Sequence, residues 1–84
     1  MNKDILIYTS SLCGFCHQAK SLLKKKNIPF YEINIDLDFN KKNEMIKKSS
    51  GNTSVPQIFF EDHHIGGCED LYKLEKENGL EIFI

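Results

Sequence analysis

The chain has 84 residues and a formal net charge of −1, from 11 lysines against 12 carboxylates, with no arginine. A chain of this length buries only about 60–65% of its unfolded surface, so we expect residues 1–84 to form a single domain. The balanced charge gives no electrostatic basis for binding nucleic acid or a membrane surface, and the absence of arginine removes the bidentate fork that usually recognises phosphate.

The N-terminal half of the sequence predicts a strand, a helix and a second strand. An apolar strand is predicted at residues 3–8 and a β-rich, alternating strand at residues 30–35. Between them, the helical spacing of apolar residues predicts a helix that ends near residues 26–27 and has one apolar face, made of Phe15, Ala19, Leu22 and Leu23. A strand, helix and strand in this order predict a parallel crossover.

The C-terminal half predicts a helix, a hairpin and a last helix. Asp38 or Asn40 caps a lysine-rich helix that continues through residues 45–46 and is closed by Gly51. Strands at residues 57–60 and 64–66 flank a short turn, and Gly67 leads into a helix with Leu71 and Leu74 inward that stops at residues 78–79. The order βαβαββα predicts an α/β fold with a four-stranded mixed sheet flanked by three helices. Together with the Cys-X-X-Cys string at residues 13–16, at the first strand-to-helix turn, it predicts the thioredoxin-like type.

Two cysteines stand where the first strand gives way to the first helix, in the string Cys13-Gly14-Phe15-Cys16. Unpaired backbone N–H groups and the helix dipole favour an anion at a helix N-terminus, so Cys13 is predicted to be a reactive thiolate. Cys16, one turn further in, is predicted to be less exposed and to attack a mixed disulfide on Cys13. The pair therefore predicts a redox site with an attacking and a resolving cysteine.

The same residues allow other interpretations. With His17, the string also matches the Cys-X-X-Cys-His pattern of haem attachment, which usually accompanies export. A zinc site would need further ligands, for which Cys68, His63 and His64 are the candidates, and two inert or structural cysteines are the plainest alternative. The polar start of the chain has no signal-peptide pattern, and three cysteines are an odd number, so we expect a cytoplasmic, reducing location.

Three segments in the same order give the chain a resemblance to a known family. They are residues 8–17 (YTSSLCGFCH), residues 54–59 (SVPQIF) and residues 65–71 (IGGCEDL). Together they resemble the glutaredoxins, in particular the small dithiol members of bacteria, over nearly the whole chain. The resemblance implies a glutathione-dependent thiol–disulfide oxidoreductase that reduces protein–glutathione mixed disulfides and protein disulfides, with Cys13 as nucleophile and Cys16 as resolving cysteine.

The resemblance also implies a glutathione site. It implies a cis Val55–Pro56 bond that turns the Val55 backbone toward the cysteine of glutathione, and a turn at residues 67–70 whose N–H groups receive a carboxylate while Asp70 pairs with an ammonium. The Cys68 thiol itself is expected to be buried and inert, with a third thiol open to glutathionylation as the alternative, and His17 is expected to be solvated. The implied glutathione-binding residues are Phe15, Ser54, Val55, Pro56, Gly67, Cys68, Glu69 and Asp70, with no metal ligand among them.

The sequence departs from the commoner family pattern at three places. Many dithiol members have proline and tyrosine between the cysteines, whereas Gly14 and Phe15 resemble the monothiol, cluster-binding branch. Members also often carry a lysine and an arginine or glutamine that reach the glycine carboxylate of glutathione, where this chain has Ser10 and Asn52. Two alternatives therefore stay open: a carrier of a glutathione-ligated [2Fe–2S] cluster, and a redoxin reduced by thioredoxin reductase.

The cofactor and partner expectations follow from the resemblance. No bound cofactor is required, and glutathione is the reducing co-substrate. The implied protein partners are glutathionylated or disulfide-containing proteins, with ribonucleotide reductase suggested by family analogy. No nucleic-acid or membrane partner is expected, and we expect a monomer.

Overall fold

Strand β1 (Ile5–Thr9) is an inner strand of a four-stranded sheet. The structure is a computed structural model that describes residues 5–61 and 63–79. The other strands are β2 (Phe30–Asn34), β3 (Gln57–Phe60) and β4 (His63–Gly66), and the helices are α1 (Gly14–Lys25), α2 (Phe39–Lys48) and α3 (Cys68–Lys76). The strands lie in the order β2-β1-β3-β4, with β1 parallel to β2 and antiparallel to β3, and β3 antiparallel to β4. This arrangement confirms the predicted mixed sheet.

The sheet separates two apolar clusters because side chains of a strand alternate between its faces. Ile5 and Ile7 of β1 point to the face covered by α1 and α3, where they pack with Leu23 and Leu71. Tyr8 points to the opposite face, toward α2. The cluster on that side contains Tyr8, Ile35, Met45 and Phe59.

The predicted elements are confirmed, with small shifts at their ends. β1 extends to Thr9, whose carbonyl accepts the Ile35 N–H at 2.8 Å, whereas residues 3–4 of the predicted strand lie outside the described residues. The side chain of Asp38, not Asn40, caps α2 by accepting the Asn40 N–H. β4 begins one residue earlier than predicted, and Asp62 of the predicted turn lies outside the described residues.

One predicted core residue is not in the core. The side chain of Phe15 is 64% exposed, although its spacing from Ala19 is that of one helix face. Cys16, which is 2% exposed, occupies the buried position of that first turn instead. The buried face of α1 is therefore formed by Cys16, Ala19, Leu22 and Leu23.

Hydrogen bonds fix the loop that leads from β1 to the first cysteine. The Ser11 N–H donates to Asp36 Oδ2 at 2.8 Å, and Asn34 Nδ2 donates to Ser11 Oγ at 3.1 Å. Asn34 is the last residue of β2, and Asp36 lies two residues after it. Because β1 and β2 are parallel, their carboxyl ends meet at one edge, and the loop before Cys13 is held there.

Two glutamates accept hydrogen bonds from hydroxyl groups of β1. Tyr8 donates to Glu44 Oε1 at 2.5 Å, and this bond, with the ammonium of Lys41, holds the pKa of Glu44 below its usual value. Thr9 donates to Glu32 Oε2 at 2.7 Å, and this bond, with the neighbouring Lys20, lowers the pKa of Glu32 in the same way. Burial and the charge of Glu44 raise the pKa of Tyr8, so the phenol stays a donor.

These two glutamates predict a loss of stability in acid. A carboxylate whose pKa is lower in the folded state stabilises the fold above its unfolded pKa of about 4.3, and the stabilisation is lost as pH falls through the folded pKa. We expect the free energy of unfolding, measured by urea titration, to fall between about pH 5 and pH 3 in the wild type. In Glu44→Gln and Glu32→Gln the fall should be shallower. Glu77→Gln, which removes the same charge from the end of α3, should keep the wild-type slope, and an unchanged slope in both test variants would contradict the assignment.

Candidate active site

Cys13 and Cys16 form a disulfide at the start of α1. Cys13 is the N-cap residue, with extended backbone angles, and its Sγ accepts the Cys16 N–H at 3.0 Å. Cys13 is half-buried, whereas Cys16 is 2% exposed. The predicted asymmetry between an accessible and a buried cysteine is therefore confirmed.

The second part of the site is the loop before β3. The Val55–Pro56 peptide bond is cis, as the resemblance implied. Pro56 is buried, Val55 is half-buried, and the Val55 carbonyl oxygen lies 3.8 Å from Cys13 Sγ. The backbone of Val55 thus lies directly beside the sulfur that is accessible to solvent.

The third part is the N-terminus of α3. Gly67 is the N-cap residue, so the N–H groups of Cys68 and Glu69 belong to the first turn, where helices leave them without intrahelical partners. The Gly67 N–H donates to Asp70 Oδ2 at 3.0 Å, which shows that Asp70 caps the helix. Gly66 has a φ of +125°, and a Cβ atom at this position would overlap the Asp70 carboxylate. Only glycine therefore allows Asp70 to sit against the turn.

A groove of about 410 Å³ connects the cis-proline loop with the N-terminus of α3. All eight residues that the sequence predicts to bind glutathione line it. Gln57, His64 and Gly66 also line the groove but are not among those eight, although Gly66 lies in the predicted segment 65–71; Asn52 was named only as a departure from the family pattern. The full lining is Phe15, Asn52, Ser54, Val55, Pro56, Gln57, His64, Gly66, Gly67, Cys68, Glu69 and Asp70.

The missed residues carry only weak sequence signals. Gln57 follows the proline directly and is 4% exposed, which is rare for an amide unless it is hydrogen-bonded. His64 pairs with Phe59 in the register of β3 and β4, so its side chain lies on the same sheet face as Phe59. Strand pairing decides this placement, and a single sequence does not show the register.

Cys68 and His17 are placed as the sequence predicts. The Cys68 thiol is buried, and burial, with the charge of Glu69, raises its pKa, so the prediction of a buried thiol is confirmed. His17 is exposed, as predicted. Within residues 5–61 and 63–79, the structure contains no group of three or more histidine, cysteine or acidic side chains placed to hold a metal ion.

Ser10 and Asn52, two of the positions that depart from the family pattern, carry no positive charge. Ser10 is half-buried, and the Asn52 side chain turns back to donate to the Ser49 carbonyl at 2.7 Å. Ser49 in turn donates to the Asn52 carbonyl at 3.2 Å. Asn52 thus closes the loop after α2 on itself while lining the groove.

Comparison with known proteins decides the family. The family model described as Glutaredoxin matches residues 5–65, which is more than half of the chain. The chain belongs to the glutaredoxin family. The family indicates a thiol–disulfide oxidoreductase, and Cys13 and Cys16 are the cysteines of this chain that form a disulfide.

Relatives of known name agree over nearly the full length. The chain is 50% identical to glutaredoxin 3 of Escherichia coli K12 over 78 residues, 93% of each chain. A solution structure of the glutaredoxin of Brucella melitensis matches with a TM-score of 0.83 and 41% identity, over 96% of this chain and 87% of that one. A crystal structure of a buckwheat glutaredoxin–glutathione complex has a TM-score of 0.84 at 21% identity, over 94% of this chain and 74% of that one, which shows the shared fold.

Across the residues that the structure describes, none of the helices has both the length and the apolar character needed to cross a bilayer.

The geometry around Cys13 predicts how its thiolate responds to salt. The sulfur accepts a short N–H bond and lies at a helix N-terminus, and such contacts are screened less than exposed charge pairs. We expect the pH midpoint of Cys13 alkylation, measured with the reduced protein, to shift by less than about half a unit between about 0.01 M and 1 M salt.

Ser10→Lys is the matched control for this prediction. It restores a solvent-accessible cation beside the active-site loop, so its alkylation midpoint should become salt-dependent. A large change of the wild-type alkylation midpoint with salt would show instead that a lysine already present in the chain lowers the pKa of the Cys13 thiol.

Proposed function

We propose that the protein is a glutathione-dependent oxidoreductase that reduces protein–glutathione mixed disulfides and protein disulfides. The observation that supports this most is the continuity of the site: Cys13 Sγ lies 3.8 Å from the Val55 carbonyl, and the groove runs from there to the N-terminus of α3. The groove offers backbone donors and acceptors rather than arginine forks. A γ-glutamyl tripeptide has the amide, carboxylate and ammonium groups that complement it.

The first proposed reaction removes glutathione from a protein. The Cys13 thiolate attacks the glutathione sulfur of the mixed disulfide, the protein leaves as a thiolate that takes a proton, and Cys13 becomes linked to glutathione. A second glutathione thiolate then attacks the sulfur of the bound glutathione. Oxidised glutathione leaves, and the Cys13 thiolate returns.

The second proposed reaction reduces a disulfide within a protein. Cys13 attacks one sulfur and forms a mixed disulfide with the substrate, after which the Cys16 thiolate attacks Cys13 and releases the reduced protein. The resulting Cys13–Cys16 disulfide is the bond present in this structure. Two glutathiones restore both thiols and leave as oxidised glutathione.

We propose that glutathione binds along the groove in an extended conformation. The Val55 N–H and C=O pair with the backbone of its cysteine, as an added strand would. The N–H groups of Cys68 and Glu69 receive the γ-glutamyl carboxylate at the positive end of the α3 dipole. Asp70, whose Oδ2 accepts the Gly67 N–H, faces the ammonium with the rest of its carboxylate.

We further propose that residues 1–84 act as one glutaredoxin domain, as a monomer in a reducing compartment. The buried Cys68 thiol and the odd number of cysteines support a reducing environment. The physiological substrates proposed are glutathionylated proteins and proteins with reducible disulfides, with ribonucleotide reductase as one candidate.

The two cysteines should be separable by mutation. Cys13→Ser should abolish all turnover because it removes the attacking sulfur. Cys16→Ser should keep reduction of a glutathionylated peptide and lose reduction of a protein disulfide, since only the second reaction needs a resolving thiol. The measurement is NADPH oxidation coupled through glutathione and glutathione reductase, and equal loss in both variants on the glutathionylated peptide would contradict the assignment.

The same assay separates the alternatives. Turnover supported by thioredoxin reductase and not by the glutathione system would favour the other redoxin class. A brown protein after anaerobic purification, with the absorption of a [2Fe–2S] centre that is lost in Cys13→Ser, would favour the cluster carrier.

The ligand turn predicts a glutathione-specific defect. Asp70→Asn keeps an oxygen that accepts the Gly67 N–H, so the helix cap survives while the charge is lost. Loss of one charge-assisted contact, about 1.5 kcal/mol or more, should raise the KM for glutathione about tenfold. Ser10→Lys should lower it by adding a cation for the glycine carboxylate.

The control for Asp70→Asn is its thermal unfolding. A wild-type melting temperature with an increased KM supports a ligand contact. An unchanged KM together with a lower melting temperature would show that Asp70 is only a helix cap and that the proposed site is misplaced.

A further inference from the structure

The wall of the groove contains a hydrogen-bond chain, centred on a buried amide, that the proposed reactions do not use. Gln57, at the start of β3, is 4% exposed, and its side-chain amide contacts two other residues that line the groove. Its Nε2 lies 3.0 Å from the Ser54 carbonyl and 3.3 Å from Ser54 Oγ, and its Oε1 lies 2.7 Å from His64 Nε2. The chain therefore joins β4 to the loop that contains the cis peptide bond.

The direction of these bonds follows from the chemistry of the partners. A backbone carbonyl accepts only, so the amide atom that faces the Ser54 carbonyl is the NH₂ nitrogen. The amide oxygen then faces His64, and the imidazole must carry a hydrogen on Nε2. His64 is thus the donor that holds Gln57 in the orientation needed to hold Ser54.

The position of His64 is itself well defined. Its ring stacks on Phe59, with ring centroids 4.8 Å apart and an interplanar angle of 27°. Phe59 is 1% exposed and belongs to the core on the α2 side of the sheet. The imidazole therefore packs on a buried ring, and its Nε2 lies within hydrogen-bond distance of Gln57 Oε1.

We propose that His64 is a positioning residue for the disulfide substrate, acting through Gln57 on the loop that presents the Val55 backbone. This inference rests on the proposed function, since it assigns a role in binding the glutathione portion of the substrate. Without a donor at residue 64, the buried Gln57 oxygen loses its partner. A buried unpaired acceptor is costly, so the amide either rotates or releases Ser54.

The functional consequence lies one residue further along the chain. Ser54 precedes Val55, whose carbonyl lies 3.8 Å from Cys13 Sγ, so movement of Ser54 changes the backbone that the substrate pairs with. The Cys13 thiolate is held by a different element, through the N–H of Cys16. His64 should therefore affect the encounter with glutathione and leave the intrinsic reactivity of the thiolate unchanged.

The test compares two reactions of the same sulfur in the reduced protein. Reduction of a glutathionylated peptide uses the groove, whereas alkylation of Cys13 by iodoacetamide does not. In His64→Phe, which keeps the stacked ring and removes the donor, we expect the second-order rate constant with the peptide to fall about tenfold. The alkylation rate, its pH midpoint and the melting temperature should stay at wild-type values.

Two further variants test the chain of contacts. His64→Gln places an amide N–H near the position of the imidazole Nε2 and should restore most of the rate. Gln57→Glu keeps an acceptor for His64 but cannot donate to Ser54, so it should lose as much as His64→Phe. If His64 acts through Gln57, the double variant that combines His64→Phe with Gln57→Glu should be no slower than either of these two single variants.

His63→Phe is the matched control, because it removes a neighbouring, exposed imidazole from the same strand. It should leave the peptide rate unchanged. A wild-type rate in His64→Phe, additive losses in the double variant, or equal losses in alkylation would each overturn the inference while the proposed function stands. Failure of the wild type itself to reduce the glutathionylated peptide would overturn the proposed function first.

Discussion

The position of β1 between β2 and β3 is the constraint on which the site depends. The strand is hydrogen-bonded along both edges and packed on both faces, with Ile5, Ile7 and Tyr8 all fully buried. Its carboxyl end therefore has little freedom, and the chain that leaves it must pass through Cys13 into α1. Parallel pairing with β2 brings a second loop to the same edge, where Asp36 receives the Ser11 N–H. Burial of one strand thus determines where Cys13 lies.

The two cysteines differ because a helix start is half in contact with solvent. Cys13, as N-cap, lies before the first turn and accepts the Cys16 N–H, whereas Cys16 lies in the turn that already faces the core beside Ala19. The same sequence spacing therefore produces one accessible and one protected sulfur. The proposed attack and resolution require this difference, since a substrate would reach only the first sulfur, and the second would compete only after a mixed disulfide has formed.

The groove is assembled from segments that are distant in the sequence and fixed by polar contacts. Asp70 holds the turn before α3, Asn52 closes the loop after α2, and the Gln57 amide connects His64 to Ser54. Among these groups the Gln57 amide is buried, at 4% exposed, so an unpaired atom there would be costly. Such contacts add modest stability, and they also hold in place the segments that line the groove.

The sequence by itself determined the order of the elements, the redox pair and the family segments. Hydrophobic period, capping residues and glycines are local signals, and for this reason the ends of α1, α2 and β3 were predicted within one or two residues. Phe15 was placed wrongly because helical spacing is satisfied equally by Phe15 and Cys16, and only the packing of α1 on the sheet decides which is buried. The cis Val55–Pro56 bond followed from family resemblance and not from local chemistry. Only the tertiary structure decided the contact between Gln57 and His64, because the register of β3 and β4 brings them together and register depends on the pairing of whole strands.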